Sequence, residues 1–274
     1  MCWPPSAMRA KRPPVRGLVL ALSGALAYAC ATARPPAPAP PAAPPESPAQ
    51  RPAPPADAEL KNANRVYVAE LGAELDVFPT VFRPRNKAGC LSAVKARAGD
   101  VVLDIGTGTG LIGLLTAKQG ASRVVATDIN PAAVRNARHN ARRLGYEGLF
   151  DVREVSMEHP EAFAVIAPGE TFDLIVTDPP FRNFKPKKMR EYALGDENYA
   201  LLKSILAGAR EHLTESGRLL LFQGYREGIA LTFDLAEANG MEARILCPQA
   251  TREELLAMHP ARFFIMVFEI KRKP

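Results

Sequence analysis

The sequence is poor in the residues that build metal centres or covalent scaffolds. Its four cysteines, Cys2, Cys30, Cys90 and Cys247, lie far apart without C-x-x-C spacing, which points to neither a zinc site nor a disulfide framework. Cys90 and Cys247 are accordingly expected to be buried free thiols. A long apolar run is missing too. The stretch from Gly17 to Ala29 has 13 residues, too few to cross a bilayer comfortably. Nor does the folded part carry much charge. Of the formal +6, residues 1–56 account for +5 through Arg9, Lys11, Arg12, Arg16, Arg34 and Arg51 against Glu46, so the remainder is only +1. Bulk charge therefore gives no case for a nucleic-acid partner, and only local patches count.

Proline is what the N-terminal part has in excess. Eleven of the 26 prolines fall between Pro35 and Pro55, together with six alanines. Such a segment cannot bury a core and is expected to be an extended tether. Ahead of it, the basic flank, the apolar run and Cys30 resemble a bacterial lipoprotein signal, which implies a lipid anchor at Cys30. An N-terminal extension with no targeting role is the alternative. The expected divisions are a signal-like segment at 1–30, a linker at 31–56, a helical or lid segment at 57–90 and a catalytic domain at 91–274.

The chain is organised around Val101 to Gly110, V-V-L-D-I-G-T-G-T-G, followed by the apolar run Leu111 to Ala117. This pattern describes a buried strand turning tightly into a helix. Gly106, Gly108 and Gly110 let a ligand approach the backbone, and the helix start offers free N–H groups. The dinucleotide fingerprint G-x-G-x-x-G is absent, because Leu111 stands where its third glycine belongs, which disfavours a pyrophosphate cradle. A second β-branched run, Arg123 to Ile129, carries Asp128 near its tip, placed to accept both hydroxyls of a ribose. With Asp104, the arrangement resembles the S-adenosylmethionine-dependent methyltransferases of the class I, small-domain type. The resemblance implies a cofactor site at Asp104, Gly106, Gly108, Gly110, Asp128 and Ile129.

Farther on, Asn130 and Pro131 read as N-cap and first residue of an amphipathic helix, Ala132 to Leu144, whose arginines are expected to form a solvated face. Phe150 to Val155 reads as the next strand. It is followed by Ser156 and Met157, where the resembled family commonly has a carboxylate for the adenine amine. Ala58 to Leu71 has helical character, and Leu75 to Arg85 is similar to the segment that enters the domain in the release-factor glutamine methyltransferases. That similarity makes Phe82 and Arg83 candidate lid residues; the competing reading is an apolar plug under the sheet.

Phe172 to Phe181, F-D-L-I-V-T-D-P-P-F, is a buried strand ended by two prolines, which remove two N–H donors and stiffen the backbone. The tetrapeptide Asp178, Pro179, Pro180 and Phe181 resembles the D/N-P-P-Y/F/W signature of methyltransferases acting on planar nitrogens. By that resemblance, Asp178 and the Pro179 carbonyl each accept one N–H of the acceptor, and Phe181 stacks on it. Arg182 to Arg190 adds five basic residues and Phe184, which suits a phosphate-bearing substrate or a solvated loop.

The later segments are expected as a helix at Glu197 to Leu213, a strand from Arg218 to Gln223 preceded by Gly217, a helix at Gly228 to Ala238, and last strands at Ala243 to Cys247 and Phe263 to Lys271. The implied fold is α/β: a doubly wound, mostly parallel seven-stranded Rossmann-like sheet with an antiparallel edge. The implied activity is N-methylation of a nucleobase amine in RNA or DNA, slightly ahead of a protein glutamine amide, by a monomer using S-adenosylmethionine. The alternative is a non-catalytic, envelope-anchored binding protein that retains the fold. Location stays open between cytoplasm and envelope, since an exported copy would lack the cytoplasmic methyl donor.

Overall fold

The computed structural model describes residues 57–84, 90–248, 251–257 and 265–273. The signal-like segment, the proline-rich linker and Cys30 lie outside the described residues. Helix α1 covers only Asp57–Lys61, and the expected helix over 58–71 is not formed. Instead β1, Asn64–Val68, and β2, Ala73–Val77, pair as an antiparallel hairpin. The physical reason is local. Val66, Tyr67 and Val68 favour a pleated surface, and Gly72 takes φ +69°, which the reversal requires.

The main sheet is built from β3 (Val101–Ile105), β4 (Arg123–Asp128), β5 (Phe150–Glu154), β6 (Phe172–Thr177), β7 (Leu213–Gln223), β8 (Met241–Cys247) and β9 (Met266–Arg272). Their spatial order is β5-β4-β3-β6-β7-β9-β8. The first five are parallel, and β9 lies antiparallel to both β7 and β8. Helices α2 (Leu111–Lys118) and α3 (Pro131–Arg143) cover one face, where Val102, Leu174 and Phe222 point. Helices α4 (Ala200–His212) and α5 (Arg226–Ala238) cover the other, with Leu103, Ile175 and Leu221; the short α6, Arg252–Ala257, follows β8. Adjacent residues of one strand thus serve two cores, which is why these strands read as continuous apolar runs. Strand β7 is longer than expected and contains Gly217, where a Cβ would meet the Phe172 carbonyl oxygen at 2.9 Å.

Two expectations need correction. Cys90 and Cys247 form a disulfide, their Cα atoms 5.6 Å apart, and are not free thiols. The short 3-10 turn Cys90–Ala93 packs against the β8–β9 edge and brings together cysteines 157 positions apart, a proximity no spacing rule encodes. The α3 arginines are also less free than a solvated face implies. Arg135 pairs with Glu59 at 2.5 Å, Arg142 with Glu147 at 2.6 Å and Arg143 with Asp76 at 3.2 Å, while Arg138 donates to the Val152 carbonyl.

Candidate active site

The glycine turn is folded around carboxylates. Asp104, fully buried near the end of β3, accepts from Thr107 Oγ1 at 2.7 Å and from the Gly113 amide at 3.0 Å. The amides of Gly106 and Thr107 donate to the Thr127 carbonyl on β4 at 2.8 and 2.9 Å. Asp128 closes the turn from the other side, with Oδ2 accepting from the Gly108 amide and Oδ1 from the Asn130 amide, both at 2.8 Å. Gly106 and Gly108 have φ of +73° and +57°, and the space where a Cβ would stand is open at both. Gly110, at φ +83°, instead packs against α3, where a Cβ would lie 3.3 Å from the Ala137 Cα. Burial pushes Asp104 up to about 6 against its hydrogen bonds, and the charges of Asp128 and Asp178 add to the rise. Burial likewise pushes Asp128 up to about 6, although the Asn130, Gly108 and Ile129 amides oppose it.

Beyond Asp128 lies a cavity of about 310 Å³ lined by Ile129, Pro131, Glu154, Val155, Ser156, Met157 and Met189. Ser156 and Met157, which follow the strand, are both part of this lining. Glu154, two positions earlier, supplies a carboxylate to the same wall. Asn130 caps α3 by accepting from the Ala132 amide, and its Nδ2 donates to Thr80. The loop leaving β2 is thereby held beside the start of α3. Phe78 on that loop is buried, Phe82 half-buried and Arg83 exposed.

The second motif meets the first because β3 and β6 are neighbours. Ile105 pairs with Thr177, whose hydroxyl donates to the Ile105 carbonyl at 3.0 Å. Gly106 and Asp178 therefore leave adjacent parallel strands at the same level, in the crevice where ligands of doubly wound sheets bind. Phe181 opens onto a cavity of about 830 Å³, shared with Arg182, Asn183, Tyr199, Tyr225, Arg226, Glu227 and Ala230. Tyr199 sits in the left-handed region at φ +55° and donates to Glu227 Oε2 at 2.9 Å. Burial and the Glu227 carboxylate push its phenol up. Arg182 donates to the Tyr225 hydroxyl at 3.1 Å. Sequence reasoning missed Tyr199, Tyr225, Glu227 and Met189, which no motif marks.

The residues present fit an adenosyl cofactor. Space is open over two glycines, two carboxylates hold the turn, and Ile129, next to Asp128, lines a cavity of small-ligand size. Residues 89–238 match the family model described as methyltransferase small domain. A release factor glutamine methyltransferase of Cereibacter sphaeroides is 34% identical over 171 residues, covering 58% of this chain and 58% of that protein. One from Burkholderia pseudomallei is 30% identical, covering 63% and 67%. A ribosomal protein L11 methyltransferase of Allorhizobium ampelinum is 35% identical over 45% of this chain and 43% of its own length. The chain thus spans under two thirds of the length of the first and last of these relatives. Among solved structures, the delta-N METTL16 MTase domain superposes with a TM-score of 0.53 at 15% identity, covering 75% of this chain and 91% of that domain. Trm5b of Pyrococcus abyssi gives 0.51 at 20% identity, covering 77% and 56%; both support the fold alone. The chain belongs to the methyltransferase small domain family, within the class I methyltransferases whose methyl donor is S-adenosylmethionine.

Proposed function

We propose that the chain is an S-adenosylmethionine-dependent N-methyltransferase whose acceptor is the exocyclic amine of a nucleobase in RNA or DNA. One observation carries this reading. Asp178 to Phe181 leave β6 beside the glycine turn, and Phe181 opens onto a cavity of about 830 Å³ walled also by Tyr199 and Tyr225, with Arg182 and Arg226. Such a cavity suits a planar ring with a phosphate nearby, since stacking on an aromatic side chain is worth about 1–3 kcal/mol per base. Lys185, Lys187, Lys188 and Arg190 are exposed on the adjoining loop and extend the positive rim.

Bound S-adenosylmethionine supplies an electrophilic methyl group on a sulfonium sulfur. Asp104, Gly106, Gly108, Gly110, Asp128 and Ile129 would hold the donor, with Asp128 accepting the ribose hydroxyls. The Asp178 side chain and the Pro179 carbonyl would accept the two N–H bonds of the acceptor, relocalising the nitrogen lone pair toward the methyl group. Pro180 holds the backbone of that acceptor pair rigid. In-line positioning of this kind supplies on the order of 7–11 kcal/mol, and Asp178 offsets the positive charge that develops on nitrogen. The electron pair of the broken C–S bond would stay with the donor, and the proton that the methylated nitrogen must lose would pass by way of the Asp178 carboxylate to solvent.

A protein glutamine amide is the second reading, favoured by relatives named as release factor glutamine methyltransferases. Incubating the full chain with tritiated donor and total RNA, DNA and protein separates the two. Label in nucleic acid supports the proposal, and label only in protein overturns it. The location bears on the same experiment. No helix among the described residues is long and apolar enough to cross a membrane. The Cys90–Cys247 bridge favours an oxidising compartment, as the signal-like stretch ending at Cys30 does. Palmitate incorporation at Cys30 would count against a nucleic-acid acceptor, because an exported chain is parted from the cytoplasmic donor and from RNA and DNA; its absence leaves the proposal standing.

A further inference from the structure

The β1–β2 hairpin precedes the segment matched by the family model, yet its backbone is wired into the cofactor turn. The wires are two asparagines of α3. Asn136 and Asn140, four residues apart and so on one face of the helix, are both fully buried. Asn136 accepts from the Phe78 amide and donates to the Asp76 carbonyl, both at 2.9 Å. Asn140 accepts from the Asp76 amide at 3.0 Å and donates to the Asp76 carbonyl at 2.9 Å. The two carboxamides act toward β2 as a neighbouring strand would, satisfying backbone groups that the hairpin leaves over. The Asp76 carboxylate fastens the same joint from outside. His139 Nε2 lies 2.8 Å away, Arg65 Nε 3.0 Å and Arg143 Nε 3.2 Å. Burial would raise this carboxyl, but its hydrogen bonds with His139 and Arg65 and the Arg143 charge hold it below the usual range.

Asn140 does one thing more. Its Nδ2 also donates to the Thr109 carbonyl at 2.9 Å. Thr109 stands between Gly108 and Gly110, both at positive φ, in a turn whose glycines give the backbone wide freedom. The orientation of such a turn depends on groups outside it. The Gly108 amide is fixed by Asp128, and the Thr109 carbonyl is fixed by Asn140.

We propose that Asn140 is a positioning residue of the cofactor site: anchored on the Asp76 backbone, its carboxamide holds the Thr109 carbonyl and with it the geometry in which the glycine turn receives its ligand. The inference rests on the glycine turn holding the cofactor and is independent of the acceptor. Asn136 is the internal control, because it makes the same kind of hairpin contact without touching the turn.

The test is titration calorimetry of the full chain with S-adenosylhomocysteine for wild type, Asn136→Ala and Asn140→Ala, with Tm measured for each. Both variants should lower Tm. Asn140→Ala should also weaken binding about five- to tenfold, the effect of one lost hydrogen bond, while Asn136→Ala stays within about twofold of wild type. Equal weakening in both variants, or none in either, overturns the proposal. A wild type that does not bind at all refutes the cofactor reading itself. If Asn140→Ala does not fold, amide exchange of the wild type decides. Coupling is reciprocal, so S-adenosylhomocysteine should slow exchange of the Asp76 amide, which donates to Asn140, more than that of the Phe78 amide, which donates to Asn136, and unchanged exchange at Asp76 would overturn the inference.

Discussion

Cofactor affinity is predicted to fall as pH is lowered from 8 to 5, because the site must give up a proton to receive its ligand. Asp104 and Asp128 are each pushed from the ordinary 3.8 to about 6, with burial as the leading cause. The difference corresponds to about 3 kcal/mol per carboxylate, favouring the protonated form in the ligand-free fold. The sign follows from linkage. A raised carboxyl binds its proton more tightly folded than unfolded, so its contribution to apo stability is full below about 4 and lost as pH rises through about 6. Ligand binding runs the other way for Asp128, whose proposed task is to accept ribose hydroxyls as a carboxylate.

At pH 5 a group titrating near 6 is about nine-tenths protonated, which weakens binding about tenfold relative to pH 8. Asp104 is fully buried beneath the turn and Asp128 only half-buried, so Asp128 is the carboxylate that a ribose hydroxyl can reach and the slope is taken from it alone. Calorimetry with S-adenosylhomocysteine at half-unit steps of pH measures this. The expected Kd is flat above about 6.5 and rises with a slope of one below about 6. Asp128→Asn should remove the slope and cost about 1.5–3 kcal/mol at pH 8, the range for a hydrogen bond to a charged group. A wild-type Kd that is level from pH 5 to 8, or an Asp128→Asn variant that keeps the wild-type slope, refutes the reasoning.

Two further perturbations address the frame around the site. A Cβ at Gly113 would lie 3.0 Å from Val124 Cγ1 and 3.1 Å from Asp104 Oδ2, so Gly113→Val should lower stability by about 1–3 kcal/mol in urea unfolding; an unchanged midpoint would show that α2 can shift. Reducing the Cys90–Cys247 bridge, or replacing both residues by serine, frees a separation of 157 positions. The chain-entropy estimate of the loss is about 5 kcal/mol, and a Tm that ignores reductant would show that the bridge is not formed in solution.

Much of this fold was legible because parallel strands buried on both faces announce themselves as β-branched runs. Val101–Ile105, Arg123–Asp128 and Phe172–Thr177 begin and end within about a residue of the expected limits. The two motifs were legible for the same reason, each being punctuation at a strand end. The hairpin was not, since scattered Leu60, Val66 and Leu71 among polar residues read as helical while Val66, Tyr67 and Val68 prefer a strand, and pairing with β2 decided the matter. The disulfide depends on how the β8–β9 edge returns past Cys90, which is a property of the whole topology. Tyr199 and Glu227 come from the turn before α4 and the first turn of α5, and only the folded chain shows them facing one cavity. Asn136 and Asn140 looked like ordinary polar residues of an amphipathic helix, and their burial comes from the hairpin packed over them.

The division of labour between the glycine turn and the Asp178–Phe181 segment is the centre of the account, and Asp178→Ala measures it most directly. Asp178 is assigned to the acceptor nitrogen and not to the donor. Binding of S-adenosylhomocysteine by the variant should stay within about threefold of wild type, while methyl transfer to the labelled acceptor falls by at least about a hundredfold at saturating donor, as when a group that stabilises transition-state charge is removed. A variant that loses cofactor binding yet turns over normally once donor is saturating would contradict the assignment.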